Sequence, residues 1–99
     1  MPVEYKLSDD NRDMVISVVG RFDINVTREL RVIFSDRTDV NYIINMSETD
    51  HLDSSALGVL INIKKDIGDH KRISIINCNH QVKRLLLISR CDKKFDIEK

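Results

Sequence analysis

Hydrophobic residues along this chain follow two spacings, which alternate from one end of the sequence to the other. Segments rich in β-branched and aliphatic residues, bounded by polar turn residues, are typical of strands. They are Val3–Leu7, Met14–Val19, Val40–Met46, Arg72–Asn77 and Phe95–Ile97. The turn signal Asp9-Asp10-Asn11 joins the first two segments, which predicts an antiparallel hairpin.

Three other segments have the apolar spacing of amphipathic helices. In the first, Val26, Leu30, Ile33 and Phe34 fall on one helical stripe. Asn25 precedes this stripe and is its predicted N-cap.

The second and third helices are predicted in the same way. A polar loop from Ser47 to Asp53 leads into the second helix, which is predicted from Ser54 to Asp69. Its predicted core stripe is Leu57, Leu60, Ile61 and Ile67, and its predicted water-facing residues are Lys64, Lys65, Asp66 and Asp69. The third helix follows an Asn79 N-cap, and the spacing of Val82, Leu85, Leu86 and Ser89 marks it.

The predicted order of elements is ββαβαβαβ, which is typical of an α/β fold. Strands joined through helices lie parallel, by right-handed crossovers. We therefore expect a mixed, mostly parallel β-sheet with three or four α-helices. The spacing leaves open whether the helices cover one face of the sheet or both. With one proline, three glycines and no linker or repeat, residues 1–99 are predicted to form a single domain.

Composition excludes several function classes. Sixteen basic residues balance sixteen acidic ones, which argues against a nucleic-acid-binding protein. No apolar run approaches the roughly 20 residues of a membrane span, and the N-terminal residues lack a signal-peptide pattern. Cys78 and Cys91 form no C-x-x-C pair and are predicted to be free thiols in a reducing compartment. We expect a cytoplasmic protein with neither a nucleic-acid nor a membrane partner.

The segment from His51 to Leu60 is the most informative for function. It places the carboxylate of Asp53 and the hydroxyls of Ser54 and Ser55 at the predicted start of the second helix. Asp and Ser are common N-caps, so one interpretation is helix initiation and nothing more. The other is a phosphorylation site, because free backbone N–H groups and the positive end of the helix dipole stabilise an anion there. These residues alone leave both interpretations open.

A phosphate on Ser54 would act on a docking partner rather than melt its own helix. It adds a charge of about −1.5 to −2. Glu48, Asp50 and Asp53 already make the neighbourhood acidic. We therefore expect the phosphate to repel an acidic partner or to disrupt a desolvated interface.

Catalytic and metal sites are weakly supported by the same residues. His51, Asp53 and Ser54 are the residue types of a serine-hydrolase triad, but no G-x-S-x-G elbow surrounds the serine. His51, His70 and His80 have no metal-ligand spacing. The sequence also has no glycine-rich loop of the kind that holds the phosphates of a cofactor. We predict no catalytic residue, no metal and no cofactor.

Some apolar residues flank the central stripes of the second and third helices. They are Val59 and Ile63 in the second helix, and Leu87 and Ile88 in the third. The favoured interpretation is a broad face packed on the sheet. The alternative is a partly exposed apolar patch beside the serines, suited to docking another protein.

Four motifs, in order along the chain, resemble those of STAS domains of the bacterial anti-sigma factor antagonist family. Asp53-Ser54-Ser55-Ala56-Leu57-Gly58 resembles the family's D-S-S-G-L-G, and Gly20-Arg21-Phe22-Asp23 resembles its G-x-[LF]-D. Tyr42–Met46 resembles its V-x-L-[DN]-[LM] strand, and Val82–Leu86 its V-x-R-[LI]-[LF] helix. The variant with Ala56 and the ending Ile88–Phe95 look most like single-domain antagonists from Gram-negative motility and biofilm switches.

This resemblance implies a partner switch. In the family, the unphosphorylated antagonist binds an anti-sigma factor or a related serine-kinase regulator. A kinase of the histidine-kinase-like ATPase fold phosphorylates the first serine of the motif, here Ser54, with Ser55 as the second choice. A PP2C-type phosphatase restores binding. The residues implied to contact the partner or to support the site are Asp23, Asp53, Ser55, Ala56, Leu57, Gly58 and Val59.

Two departures from the family pattern change the expectations. Ala56 stands where the family usually has glycine, so we expect it to fit the helix well and to hold the kinase at a greater distance. The chain ends at Lys99, where many members add a C-terminal helix, so one wall of the sheet is expected to be thinner or covered by another subunit. The rival functions are a constitutive STAS scaffold subunit, as in transporter-associated members, and a small serine hydrolase.

Overall fold

The computed structural model describes residues 3–36, 40–67, 72–93 and 95–98. The strands are β1 (Val3–Leu7), β2 (Asp13–Val18), β3 (Gly20–Phe22), β4 (Asn41–Asn45), β5 (Thr49–Leu52), β6 (Ile73–Ile76) and β7 (Asp96–Ile97). The helices are α1 (Ile24–Asp36), α2 (Ser54–Ile67) and α3 (His80–Ile88), followed by a short 3-10 helix (Cys91–Lys93). The predicted α/β class with three helices is confirmed.

Five strands form the main sheet, in the order β1-β2-β4-β6-β7. β1 is antiparallel to β2, while the β2–β4, β4–β6 and β6–β7 pairs are parallel. Both the predicted hairpin and the mostly parallel sheet are confirmed. In the hairpin turn, Asn11 adopts a φ of 60°, a left-handed conformation that asparagine tolerates better than most residues.

The hydrophobic core lies on one face of this sheet. Along β2, β4 and β6 burial alternates with a period of two, so every second side chain is buried and its neighbours are only half-buried or exposed. Ile16, Ile44 and Ile75 are fully buried on the core face. Val26 and Leu30 of α1 join the same buried cluster, as do residues of α2 and α3. The helices therefore cover one face of the sheet, the point that the spacing left open.

Tyr42 and Phe34 fix α1 against β4 inside this core. Their ring centroids lie 4.4 Å apart, and the Tyr42 hydroxyl donates to the backbone carbonyl of Phe34 at 3.2 Å. The buried phenol thus has a polar partner as well as an aromatic neighbour, as a buried tyrosine requires.

The predicted loop from Ser47 to Asp53 is wrong for most of its length. Thr49–Leu52 is strand β5, which pairs in parallel with β3 to form a separate two-stranded sheet. Thr49 and Leu52 are buried, with exposed polar residues between them, so the segment lacks the alternation that marks a strand in a sequence. The Thr49 hydroxyl donates to the Val18 carbonyl at 2.7 Å, which satisfies this buried side chain.

The predicted N-cap of the first helix is also wrong. α1 begins at Ile24, and the residue before it, Asp23, accepts hydrogen bonds from the backbone N–H groups of Asn25 and Val26 at 3.0 and 3.3 Å. Asp23 is therefore the N-cap in place of Asn25. By contrast, Asn79 caps α3 as predicted, accepting from the Val82 N–H at 2.8 Å.

Burial along α2 corrects one further prediction. Lys64 is only 7% exposed rather than directed towards water. It lies seven residues after Leu57 and four after Leu60, so the helical period places it on the buried stripe, where a long aliphatic stem can pack. Lys65 and Asp66 are exposed as predicted, whereas Asp69 and the Ile67 side chain fall outside the described part of the chain.

The apolar residues that flank the helical stripes divide between the two interpretations. Ile63 is buried and Val59 half-buried, so α2 packs with the broad face that was favoured. In α3, Leu87 and Ile88 are 46% and 70% exposed, so the broad-face prediction is wrong for these two residues. None of the helices described is long and apolar enough to cross a membrane.

Candidate functional site

The β3–β5 pair brings two strand ends together. Phe22 pairs with Leu52 in parallel register, and the backbone N–H of Asp53 donates to the Phe22 carbonyl at 2.9 Å. Asp23 and Asp53 therefore follow the carboxyl ends of adjacent strands, and each is the residue just before a helix. The two strand–helix turns that carry the predicted site lie side by side.

Gly20 starts this arrangement by turning the chain from β2 into β3. Its φ is +81°, a conformation that residues with a Cβ adopt at a cost, and a β-bulge separates it from Arg21. A Cβ at this position would have no neighbour within 4 Å, so the backbone conformation and not space requires glycine. The Gly20 N–H donates to the Glu48 carbonyl at 2.8 Å, which fixes the start of β3 beside β5.

Asp53 is the N-cap of α2. Its Oδ1 accepts hydrogen bonds from the backbone N–H of Ser55 at 3.1 Å and from the Ser55 hydroxyl at 3.0 Å. These bonds, in that order of importance, hold the pKa of the Asp53 carboxyl below its usual value, and the positive charges of Arg21 and His51 contribute less. The side chain is consequently a fixed anion at the helix start.

The two serines differ in what their hydroxyls do. Both side chains are exposed, and the Ser55 hydroxyl is engaged with Asp53. The Ser54 hydroxyl makes no hydrogen bond within the part of the chain that the structure describes. Ser54 is the first residue of α2, where a group on its oxygen would face solvent beside the positive end of the helix.

The rest of the predicted motif divides between core and surface. Ala56 and Leu57 are buried in the core cluster, and Ala56 fits the helix, donating its N–H to the Asp53 carbonyl at 3.0 Å. Val59 is half-buried, and Gly58 is exposed with open space where a Cβ would stand. The uncharged part of the exposed α2 face consists of Ser54, Ser55, Gly58 and Asn62, and we call it the α2 surface.

An apolar residue extends the exposed part of this region onto the neighbouring turn. Ile24, directly after Asp23, is 44% exposed at the first position of α1. Because the Asp23 and Asp53 turns are held together by the β3–β5 pair, Ile24 and the α2 surface belong to one end of the molecule.

A groove of about 290 Å³ lies between β5 and α3. Leu52, which directly precedes Asp53, lines it together with Val82, Leu85 and the exposed Ile88. Asn79 ties its two walls together, because its Oδ1 caps α3 while its Nδ2 donates to the Thr49 carbonyl at 3.2 Å. Ile88 thus forms part of an apolar surface continuous with the strand that leads to Ser54.

The geometry of a serine hydrolase is absent from the described residues. The Asp53 carboxylate is bonded to Ser55 and not to His51, and the Ser54 hydroxyl has no base as its partner. His51 is exposed on β5, and His80 is exposed at the start of α3. His70 lies outside the described residues, among which no group of His, Cys, Asp and Glu side chains could hold a metal ion.

Two residues with structural importance at the site escaped the sequence analysis. The β3–β5 register places Arg21 opposite His51, two residues before Asp53. The positive charge of Arg21 therefore helps to lower the pKa of the Asp53 carboxyl. Thr49 anchors β5 to the main sheet through Val18. The signal that could have found both is the pair of short segments ending in Phe22 and Leu52, each followed by Asp and then by a helix.

Comparisons with known proteins agree with this architecture. The STAS domain family model matches residues 4–99 of the chain. A STAS-domain containing protein of Pseudomonas aeruginosa (strain UCBPP-PA14) is 31% identical over 93 residues, which are 91% of this chain and 92% of that protein.

Two solved structures share the fold at low sequence identity. The anti-sigma factor antagonist SpoIIAA in its unphosphorylated form is 15% identical, with a TM-score of 0.74 over 98% of this chain and 87% of that chain. The phosphorylated form of the Bacillus cell fate determinant SpoIIAA is 16% identical, with a TM-score of 0.72 over 98% of this chain and 91% of that chain. The fold expected from the sequence motifs is therefore confirmed.

Proposed function

Because residues 4–99 match the STAS domain model, the chain belongs to the STAS-domain family, and we propose that it is an anti-sigma factor antagonist switched by phosphorylation of Ser54. Two similar solved structures support this role by their names, one as an anti-sigma factor antagonist and one as a phosphorylated protein. In this proposal the chain is the substrate of a kinase and not a catalyst, and it acts in the cytoplasm, where sigma factors work.

The observation that carries the proposal is the difference between the two serine hydroxyls. Ser55 donates its hydroxyl to Asp53 at 3.0 Å, a bond that holds the side chain at the helix start and that it would have to give up to enter the active site of a kinase. Ser54 is exposed and has no such bond within the described residues. This difference supports Ser54 over Ser55 as the acceptor, a choice for which the sequence offers only the family resemblance.

The chemistry at Ser54 is a cycle of two reactions. A kinase of the histidine-kinase-like ATPase fold transfers the γ-phosphoryl group of ATP to the Ser54 oxygen, and the hydroxyl proton and ADP leave. A PP2C-type phosphatase uses water to break the new P–O bond, which returns the hydroxyl and releases inorganic phosphate. The chain supplies only the acceptor oxygen and its surroundings.

Phosphate on Ser54 would change binding without unfolding α2. The free N–H groups and dipole at the helix start stabilise an anion, so the helix tolerates a charge of about −1.5 to −2. Asp53 is already a fixed anion next to this position. The phosphate would therefore make this weakly acidic region strongly acidic. An acidic partner surface would be repelled by the added charge, and an apolar partner surface would have to strip water from it at a cost in binding free energy.

The partner is proposed to be an anti-sigma factor or a serine-kinase regulator that binds the α2 surface. Gly58 leaves open space on this surface, and the exposed Ile24 adds an apolar contact from the Asp23 turn. Loss of a single charge-assisted hydrogen bond in such an interface costs about 1.5–3 kcal/mol, which is roughly ten- to a hundredfold in affinity. The Ile88–Phe95 ending resembles that of single-domain antagonists from motility and biofilm switches, so this protein is proposed to act in a switch of that kind.

The test begins with the protein purified from its host, its phosphorylated residues mapped by mass spectrometry and its co-purifying partner identified. Binding of that partner is then measured by calorimetry for Ser54→Ala, Ser54→Asp and the matched control Ser55→Ala. We expect Ser54→Ala to bind like the unphosphorylated protein, and Ser54→Asp and the phosphorylated protein to bind at least about tenfold more weakly. Equal affinity for all forms would instead support the constitutive scaffold.

A further inference from the structure

β1 is an edge strand of the main sheet, and its outer side faces no other strand among the described residues. In the described part of the chain it pairs only with β2. Beyond the strand end, the Ser8 N–H donates to the Asp13 carbonyl at 2.8 Å, which makes this a hydrogen-bonded pair. Since bonded and non-bonded pairs alternate along an antiparallel ladder, Lys6 and Glu4 also bond to β2.

The remaining residues of β1 point their backbone groups the other way. Val3, Tyr5 and Leu7 therefore direct their N–H and carbonyl groups towards the outer edge, where a further strand could bond to them. Exposed edges of this kind invite pairing and are usually blocked by charge or by a covering segment. Here the strand carries two exposed charges, Glu4 and Lys6, on either side of Tyr5, which is 60% exposed.

The order of these charges selects one register. A second copy of β1 can pair antiparallel in three registers that oppose at least two pairs of outward-bonding residues. Two of them place Glu4 against Glu4 or Lys6 against Lys6, and like charges directly opposite each other are destabilising. The third centres on Tyr5 and places Glu4 opposite Lys6 in both directions, so both charge pairs are attractive.

We propose that two copies of this chain pair antiparallel along β1, with Tyr5 on the two-fold axis. Val3 of each copy then faces Leu7 of the other, and the three opposed pairs supply about six backbone hydrogen bonds. The two Tyr5 rings lie side by side on the same face of the joined sheet, a favourable cross-strand contact. The sequence Val3-Glu4-Tyr5-Lys6-Leu7 is thus complementary to itself only when its direction is reversed.

The expected dimer is weak, because five residues on each side make an interface well below the standard size. We expect a dissociation constant of roughly 10 µM to 1 mM, weakening as salt rises because the charge pairs are exposed. Sedimentation velocity and light scattering on the untagged chain, over about 10 µM to 1 mM at low ionic strength, measure it.

Charge reversal tests the register. Glu4→Lys or Lys6→Glu alone replaces both attractive pairs with repulsive ones, so each should raise the dissociation constant at least about tenfold. The matched control is the double variant Glu4→Lys/Lys6→Glu, which has the composition and net charge of the natural chain. It should restore dimerisation to within about threefold, and an equimolar mixture of the two single variants should form a heterodimer.

A backbone variant tests the edge itself. Tyr5→Pro removes an N–H that does not bond to β2, a change that edge strands tolerate, so the fold should remain and the dimer should be lost. A natural chain that stays monomeric up to about 1 mM overturns the proposal. So does a dimer that ignores the charge reversals, or a double variant as weak as the single ones. None of these substitutions touches Ser54, so the outcome is independent of the proposed switch.

Discussion

The backbone N–H of Asp53 lies 2.9 Å from the carbonyl oxygen of Phe22 and donates to it. This bond is the last rung of the β3–β5 pair, and each strand leads directly into a helix. It therefore couples the start of α1 to the start of α2. Changes at either turn are expected to affect the other.

Removal of the α1 cap should measurably destabilise the fold. Asp23→Ala removes the side-chain acceptor of the Asn25 N–H, while the Val26 N–H keeps the Asp23 backbone carbonyl at 3.1 Å, so we expect a loss of about 1 kcal/mol in the free energy of unfolding. Asp23→Asn keeps a capping oxygen and should cost much less. Urea denaturation compares the two, and equal losses would show that Asp23 acts through its charge rather than as a cap.

The Asp53 carboxyl should titrate below its ordinary value of 3.8. Because hydrogen bonds to Ser55 lower its folded pKa, its contribution to stability is complete above the unfolded pKa and is lost as the pH falls through the folded one. Ser55→Ala removes the hydroxyl bond but leaves the backbone bond, so the pKa should rise part of the way. Carboxyl NMR titration of both proteins measures this, and an unchanged pKa in Ser55→Ala would contradict the assigned cause.

The hydroxyl of Thr49 should matter more than its methyl group. Thr49→Val keeps the shape but leaves the Val18 carbonyl without its donor at a buried position, which we expect to cost about 1–3 kcal/mol in unfolding free energy. Thr49→Ser retains the donor and removes only the methyl group. If thermal unfolding shows Ser to be the more damaging replacement, then packing rather than this hydrogen bond holds β5.

Gly58 offers a way to separate folding from binding. A Cβ there meets nothing within 4 Å, so Gly58→Ala should stabilise the protein by about 0.5–1 kcal/mol through better helix propensity. Gly58→Trp should keep near-natural stability but obstruct a partner at the α2 surface. Chemical denaturation and partner calorimetry on both variants check this, and full binding by Gly58→Trp would place the interface elsewhere.

The sequence was sufficient to predict an element where burial on one face of the sheet alone determines the spacing of its hydrophobic residues. β2 and β4 are half-buried in one sheet, so their composition and spacing predicted them. Thr49–Leu52 was missed because its two buried residues enclose exposed polar ones, and its pairing partner is distant in sequence. Asn25 and Asp23 are equally good caps by residue type, and the end of β3 at Phe22 decides between them.

The site shows the same division. The motif placed Asp53, Ser54 and Ser55 at a helix start, and the structure has them there. Which hydroxyl is engaged depends on a 3.0 Å contact between Ser55 and Asp53, and residue types alone do not contain such a distance. The exposure of Ile88 likewise depends on where α3 ends relative to the sheet.

The two bonds of the Asn79 amide determine how this protein would respond to chemical ageing. Its oxygen must face α3 and its nitrogen must face the Thr49 carbonyl. Deamidation to aspartate would preserve the cap but place a carboxylate oxygen against that carbonyl, two acceptors with no proton between them. Slow deamidation of Asn79 would thus weaken the attachment of β5, the strand that leads to Ser54, while leaving the N-cap of α3 intact.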